Sequence, residues 1–240
     1  MKNELSFTEK AAASAYKTAD KYLGEEGELY FQRQRSAGIL AAKYNAFIFA
    51  PHVGVQDDVL EFGCGGGYML HALNARSKVG IDINPAARAE AARFGITAYP
   101  TLDGIKEMTF SKIITSHALE HVPNPYEALI QLKSLLRPGG KLIWLSPLDD
   151  WRQKSNKRWH PNDPDMHLYA WTPLQIGNLL ATAGYVPESI SILTHSFPPL
   201  ALGKRLWGLN QSLFHSAAFA CGLIRRRRQI VAIASPVTEH

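Results

Sequence analysis

The 240 residues predict an α/β domain, a doubly wound seven-stranded sheet with helices on both faces, and three observations carry that expectation. Val59 to Leu70 reads as a buried strand that runs into the glycines Gly63, Gly65, Gly66 and Gly67 and then opens a helix. Such a strand, glycine turn and helix N-terminus form a pocket of nucleotide type, because the glycines bring bare backbone close to a ligand. Val79 to Asn84 reads as a second short strand ending in an acid, Asp82, whose carboxylate suits the two hydroxyls of a ribose. Beyond it, strand-like and helix-like stretches alternate as far as Tyr185, the pattern of a parallel sheet with crossover helices.

In chain order, residues 1–55 predict a helical cap. The segment is alanine-rich to about Tyr22, breaks at Gly24 to Gly27 and resumes from Leu29 to Phe49, with Pro51 as its stop. Strands are expected at about 57–62, 78–83, 96–99, 111–116 and 140–146. Ala86 to Phe94 and Pro125 to Leu136 read as helices, the second with proline in its first turn. Pro138-Gly139-Gly140 is the expected turn into the fifth strand. Thr172-Pro173 opens a helix that Gly184 ends, Tyr185 to Leu193 forms a sixth strand and Ile230 to Ala234 a seventh. Between the last two lies an insertion at about 196–228, and a connection of that length is usually functional or mobile.

Composition narrows the class. A chain of this length, 46% hydrophobic, supports one well-buried domain. The formal charge of +5 owes four charges to Arg225, Arg226, Arg227 and Arg228, which argues against a broad nucleic-acid face. Cys64 and Cys221 have neither metal nor disulfide spacing, and the first residues lack a secretion signal, so a cytoplasmic location is expected.

Four pieces together carry a resemblance: the glycine loop, Asp82, the segment Ile113 to Pro125, and Leu136 to Leu142. In this order and spacing they resemble the class I S-adenosylmethionine-dependent methyltransferases that act on small molecules, over about Val59 to Tyr185. The resemblance implies a Rossmann-like sheet, mostly parallel with the last strand antiparallel, and a methyltransferase domain over 56–240. It implies S-adenosylmethionine as cofactor, with Gly63, Gly65 and Gly67 against its methionine part, Asp82 on the ribose and Ile83 on the adenine. Glu61 is expected to order the loop or accept from the cofactor amine, and His117 to stand at the cofactor's edge. Tyr30, Gln32 and Arg35 of the leading helix are expected to face the methionine end or the substrate, or else to lie on a solvated face. Two departures stand out. Asp103 comes late for the acid that relatives place after the third strand, and Ser111 replaces an acid at the start of the fourth.

His117, Glu120 and His121 spell HxxEH, a zinc-peptidase signature when carried on a regular helix. Here the segment leaves a strand and meets Pro123 and Pro125, so that metal reading is set aside and no metal is expected. Methyl transfer to a hydroxyl needs in-line alignment and a base, for which His117, His121, His160 and His167 are the candidates. His160 and His167 fall in a loop, Trp159 to Tyr169, placed to close over an acceptor, where two histidines and two acids could supply a base or bind a divalent ion; an ordinary proline-stiffened loop is the plainer alternative.

The insertion interleaves Lys204 and Arg205 with Leu206, Trp207, Leu213, Phe214 and Phe219. It reads as a helical lid or dimer face, or as a basic amphipathic surface over residues 200–228 that touches the inner membrane face or a lipid-linked substrate. The expectation is O-methylation of a small-molecule, saccharide or lipid-linked acceptor, with no nucleic-acid partner and the oligomeric state open. A non-catalytic cofactor-binding protein and an NAD-dependent oxidoreductase are the alternatives, the latter disfavoured by Tyr68 in the loop.

Overall fold

The computed structural model describes residues 20–148 and 166–237. Its centre is a seven-stranded sheet in the order β3-β2-β1-β4-β5-β7-β6. The strands are β1 (Asp58–Phe62), β2 (Ser77–Ile81), β3 (Thr97–Tyr99), β4 (Phe110–Ser116), β5 (Leu136–Leu148), β6 (Tyr185–Thr194) and β7 (Arg228–Pro236). β7 runs antiparallel to both β5 and β6, while the pairs among β1 to β5 are parallel. Strand order reverses between β1 and β4, so their carboxyl ends flank a crevice.

Side-chain alternation explains why the sheet is covered on both faces. Leu60, Ile113 and Leu142 point to one side, against Leu129 and Leu132 of α4 (Pro125–Ser134) and Ile176 and Leu180 of α5 (Pro173–Thr182). Their neighbours Val59, Ile114 and Ile143 point to the other side. There they meet Ile48 and Phe49 of α1 (Gly24–Phe49), Met69 and Leu70 of α2 (Tyr68–Ala72) and Ala91 of α3 (Pro85–Arg93). Buried apolar residues at consecutive positions are what a strand covered on both faces requires.

Local sequence sets several boundaries. Asn84 caps α3, its side chain accepting from Ala86 N at 2.9 Å, with Pro85 at the first helical position. Thr172 and Gln175 form a reciprocal capping box at the start of α5.

Two boundaries differ from the sequence expectation. No break occurs at Gly24 to Gly27: α1 starts there, because Gly27 packs against the backbone of Tyr22 where a side chain would overlap, and Gly27 N donates to Leu23 O. Pro138-Gly139-Gly140 is not a free turn before the fifth strand but a bulge inside it. Pairing runs from Phe110–Leu136 to Lys112–Lys141, so β5 carries three extra residues, and Gly139 takes the left-handed φ of +73° that the loop-out demands. The expected helix before Tyr22 lies largely outside the described residues; Asp20–Tyr22 form a single 3-10 turn.

The residues between β6 and β7 form two helices, α6 (Leu200–Leu209) and α7 (Gln211–Arg225). Phe214, Ala218 and Gly222 recur at four-residue spacing as the buried stripe of α7. Phe214 stacks on Tyr44 of α1 at 4.4 Å between ring centroids, and Trp207 meets the same ring edge-on at 5.0 Å. The insertion is thereby docked onto the leading helix.

Candidate active site

A cavity of about 1110 Å³ opens along the carboxyl edge of the sheet. Its floor on one side is the loop after β1, and on the other the ends of β4, β5 and β7, represented by His117, Pro147 and Gln229. α1 lies along it, contributing Tyr30, Gln34, Arg35 and Asn45. Gln32 is exposed and does not line it; Gln34, two residues on in the helical turn, takes the inward place expected for Gln32.

The loop is a backbone cradle. Gly63 (φ +74°) and Gly65 (φ +52°) adopt left-handed conformations that L side chains rarely accept. A Cβ on Gly63 would overlap Ala118 after β4, whereas one on Gly65 would stand in open space within the cavity. Gly67 lines no part of the cavity: at φ +73° it begins α2 and packs on Ile96 and Ala91, where a Cβ would come within 2.9 and 3.0 Å. Its requirement is close packing of helix on sheet rather than the ligand contact expected for it. Tyr68, in the place of the third fingerprint glycine, donates to Glu90 Oε1 at 3.2 Å and spreads its ring under Gly66 and beside Gly38 of α1.

Asp82 follows β2 and faces the cavity. Its Oδ2 accepts from Gly65 N and its Oδ1 from Asn84 N, both at 2.8 Å, which ties the second strand's end to the glycine loop. Burial raises its pKa, and these amides offset part of that rise. Ile83, next in sequence, is 39% exposed on the cavity side, an apolar surface of the kind an aromatic base covers. Glu61 is buried at 3% exposure beneath the loop, its Oε2 has no partner, and burial pushes its pKa well above the usual range. A buried carboxylate oxygen without a donor is suited to an amine brought by a ligand.

Asp103 turns away into solvent, where it pairs with Lys106 at 2.7 Å; Pro100, Thr101 and Leu102 form that wall instead. Ser111 is structural. It receives Asp58 N at 3.0 Å and donates to Asp57 at 2.7 Å, at the opposite edge of the sheet.

His117 sits at the end of β4 with a left-handed φ of +52°. Its Nε2 is 2.9 Å from Gln229 Oε1 on β7 and its Nδ1 is 3.6 Å from Glu120 Oε1. Leu119–His121 make one 3-10 turn, so the regular helix that HxxEH would need as a peptidase signature is not formed. Glu120 is fully buried. Burial pushes its pKa up, but the His117 and His121 imidazoles more than compensate and hold the carboxyl below its usual value. His121 lies 3.3 Å from Tyr22 OH, and its ring meets that of His167 edge-on at 4.8 Å. His117, His121 and His167 all line the cavity; His160 lies outside the described residues.

The sequence offers no signal for His195, which follows β6 as an isolated histidine. It lines the cavity at 4% exposure with both ring nitrogens unpartnered, wrapped by Phe47, Phe197 and Phe214, and desolvation lowers its pKa to about 4. The four arginines, expected as one basic end, are divided by the structure. Arg225 donates to Phe197 O at 2.9 Å, Arg226 ends α7 in a left-handed conformation, and Arg227 and Arg228 line the cavity.

A model of the methyltransferase domain matches residues 17–190. The chain belongs to this family. Its cofactor is accordingly S-adenosylmethionine, which the glycine cradle, the exposed Ile83, Asp82 and the orphaned Glu61 oxygen fit. Curated relatives are similar over shorter stretches. A tRNA U34 carboxymethyltransferase of Pseudoalteromonas translucida is 32% identical over 35% of this chain and 30% of its own length. A ubiquinone biosynthesis O-methyltransferase of Xanthomonas euvesicatoria is 30% identical over 35% of this chain and 41% of its own. The match spans about a third of the first of these proteins and two fifths of the second. Among solved structures, a putative methyltransferase in complex with the Haloferax volcanii Trm112 activator superposes with a TM-score of 0.63 at 14% identity, covering 92% of this chain and 98% of that one. The plantazolicin methyltransferase BpumL in complex with SAH gives 0.61 at 15%, covering 91% and 94%. These likenesses are to the fold.

Proposed function

We propose that this protein transfers a methyl group from S-adenosylmethionine to an oxygen of a small-molecule acceptor, saccharide-like or lipid-linked. The observation that carries the reading is the single cavity joining the glycine loop and Asp82 to a histidine-lined end. S-adenosylmethionine, when bound, supplies a methyl group activated on a sulfonium centre. The chain's own residues then have three tasks: to orient, to exclude water and to take a proton from the acceptor hydroxyl.

Glu61, Gly63 and Gly65 hold the methionine end in this reading, Asp82 accepts from the ribose hydroxyls, and Ile83 covers the adenine. Gly67 sets the turn. His117 borders both halves of the cavity, and a neutral imidazole among His117, His121, His160 and His167 serves as the base. His117 meets Gln229 with Nε2 and stands 3.6 Å from Glu120 with Nδ1, so it serves as the base only by releasing one of these contacts to the acceptor hydroxyl. Arg227 and Arg228 on the cavity wall favour an acceptor with an anionic group, such as the phosphate of a lipid-linked saccharide. Residues 1–55 act as a cap on a methyltransferase domain over 56–240.

Contact with an anionic membrane surface extends this reading. Leu209, Leu213, Phe219, Leu223 and Ile224 are exposed on the insertion, Ile224 to 82%, beside exposed Lys204, Arg205, Arg225 and Arg226. No helix among the described residues is long and apolar enough to cross a membrane. Sedimentation with anionic vesicles, reversed by salt and absent with neutral vesicles, is the expected result.

Calorimetry on the purified protein tests the central reading. S-adenosylmethionine and its demethylated product should bind at micromolar concentration, and Asp82→Ala should abolish binding. Binding of NAD in their place would overturn methyl transfer. Binding of the cofactor without turnover on any sugar or lipid-linked compound would favour a cofactor-dependent interaction protein.

A further inference from the structure

We propose that Glu120, His121 and His167 form a binding site for one divalent transition-metal ion at the acceptor end of the cavity. One ligand atom from each of the three lies within 4.8 Å of the other two. Three donors each about 2.0–2.2 Å from a shared ion stand roughly 3.4 Å apart in a tetrahedral arrangement. Around one ion the three donors therefore draw together by up to about 1.4 Å.

The donors are held before any ion arrives. Glu120 and His121 come from one 3-10 turn, and His167 comes from the loop that crosses it. Leu168 N and Tyr169 N both donate to Glu120 O, at 2.8 and 3.3 Å, fastening that loop to the turn. Ser146 Oγ donates to Glu120 Oε2 at 3.3 Å, which orients the carboxylate, while the buried Oε1 lies 3.6 Å from His117 Nδ1, beyond hydrogen-bond distance. Tyr22 OH is 3.3 Å from His121 Nδ1. Outer contacts of this kind set ligand orientation in metal sites.

This is not the helix-borne HxxEH arrangement, since His117 is not a member and His167 lies far along the chain. It reverses the expectation that no metal is bound. Two imidazoles and one carboxylate select zinc-like ions over magnesium or calcium, which favour all-oxygen shells. His121 and His167 line the cavity while Glu120 lies behind them, so an ion held here keeps a coordination position towards the acceptor. Use of that position to polarise an acceptor oxygen rests on the methyl-transfer reading and, with the ion bound, takes His121 and His167 out of the role of base; binding of the ion does not rest on it.

The test uses metal alone. Protein stripped with a chelator is titrated with zinc chloride by calorimetry and with cobalt(II) by visible absorption, alongside Glu120→Gln and His167→Gln. Binding of SAH and the thermal melt are recorded for each variant as controls of folding. We expect one equivalent of zinc, cobalt ligand-field bands of tetrahedral or five-coordinate type, and at least about tenfold weaker binding in either variant that still melts cooperatively. Absence of stoichiometric zinc binding by folded wild-type protein would overturn the site, as would affinity unchanged in both variants. Loss of SAH binding by the wild type would instead count against the cofactor reading and leave the metal result to stand by itself.

Discussion

Gly63 and Gly65 share a left-handed backbone but differ in what surrounds them, and substitution should separate the two requirements. Alanine at either position carries about 1–2 kcal/mol of backbone strain. At Gly63 the new methyl also collides with Ala118, so Gly63→Ala should unfold at markedly lower denaturant and lose cofactor affinity. At Gly65 the methyl meets nothing in the protein and stands where a ligand must lie. Gly65→Ala should therefore keep most of its stability and lose SAH affinity in calorimetry. His195 supplies the pH signature. The unfolded chain takes a proton on this residue near pH 6.5, while the folded protein resists until about pH 4, so the unfolded state holds more protons between them. Stability contributed here is complete above pH 6.5 and falls as the pH drops towards 4. Urea midpoints at pH 7 and pH 5 should converge in His195→Leu relative to wild type.

At the level of elements, the least expected packing is that of the insertion on the sheet and the leading helix. α7 reaches β6 through Gly222, where a Cβ would come within 2.9 Å of His195 N and 3.0 Å of Thr194 Cγ2. Gly222→Leu should lever α7 away from the sheet, raising protease sensitivity over 196–227 before the sheet itself unfolds. By contrast, α5 depends on a local signal. Thr172→Ala removes its N-cap and should cost about 1 kcal/mol in a chemical melt without changing cofactor affinity.

Across the whole molecule, α1 ties the cavity to the core layer on its own face of the sheet and to the insertion. Arg35 donates to Glu90 of α3 at 2.8 Å, Asn84 donates to Gly27 O at 2.7 Å, and Tyr44 enters the aromatic cluster of α6 and α7. A ligand held between α1 and the glycine loop should slow amide exchange along 24–49 and around 196–224 together. Hydrogen exchange with and without SAH measures this; protection confined to the glycine loop would show that α1 does not close over the cofactor.

Local order determined most of the sheet. Val59-Leu60, Ile113-Ile114 and Leu142-Ile143 write strands buried on both faces, and Gly63 to Tyr68 and Asp82 mark the crevice, because backbone conformation and side-chain alternation are short-range properties. The bulge at Gly139 and the start of α1 at Gly24 escaped that reading, since each depends on a partner segment: β4 for one, Tyr22 for the other. His195, Gln229 and the split of the four arginines between solvent and cavity carry no sequence pattern at all. They acquire their places only when β7 inserts between β5 and β6 and brings 195 and 227–229 to the carboxyl edge beside His117. The joining of Glu120 and His121 with His167 has the same origin. Residues separated by dozens of positions meet because the sheet orders its strands by packing, and packing is not written in the spacing of residues along the chain.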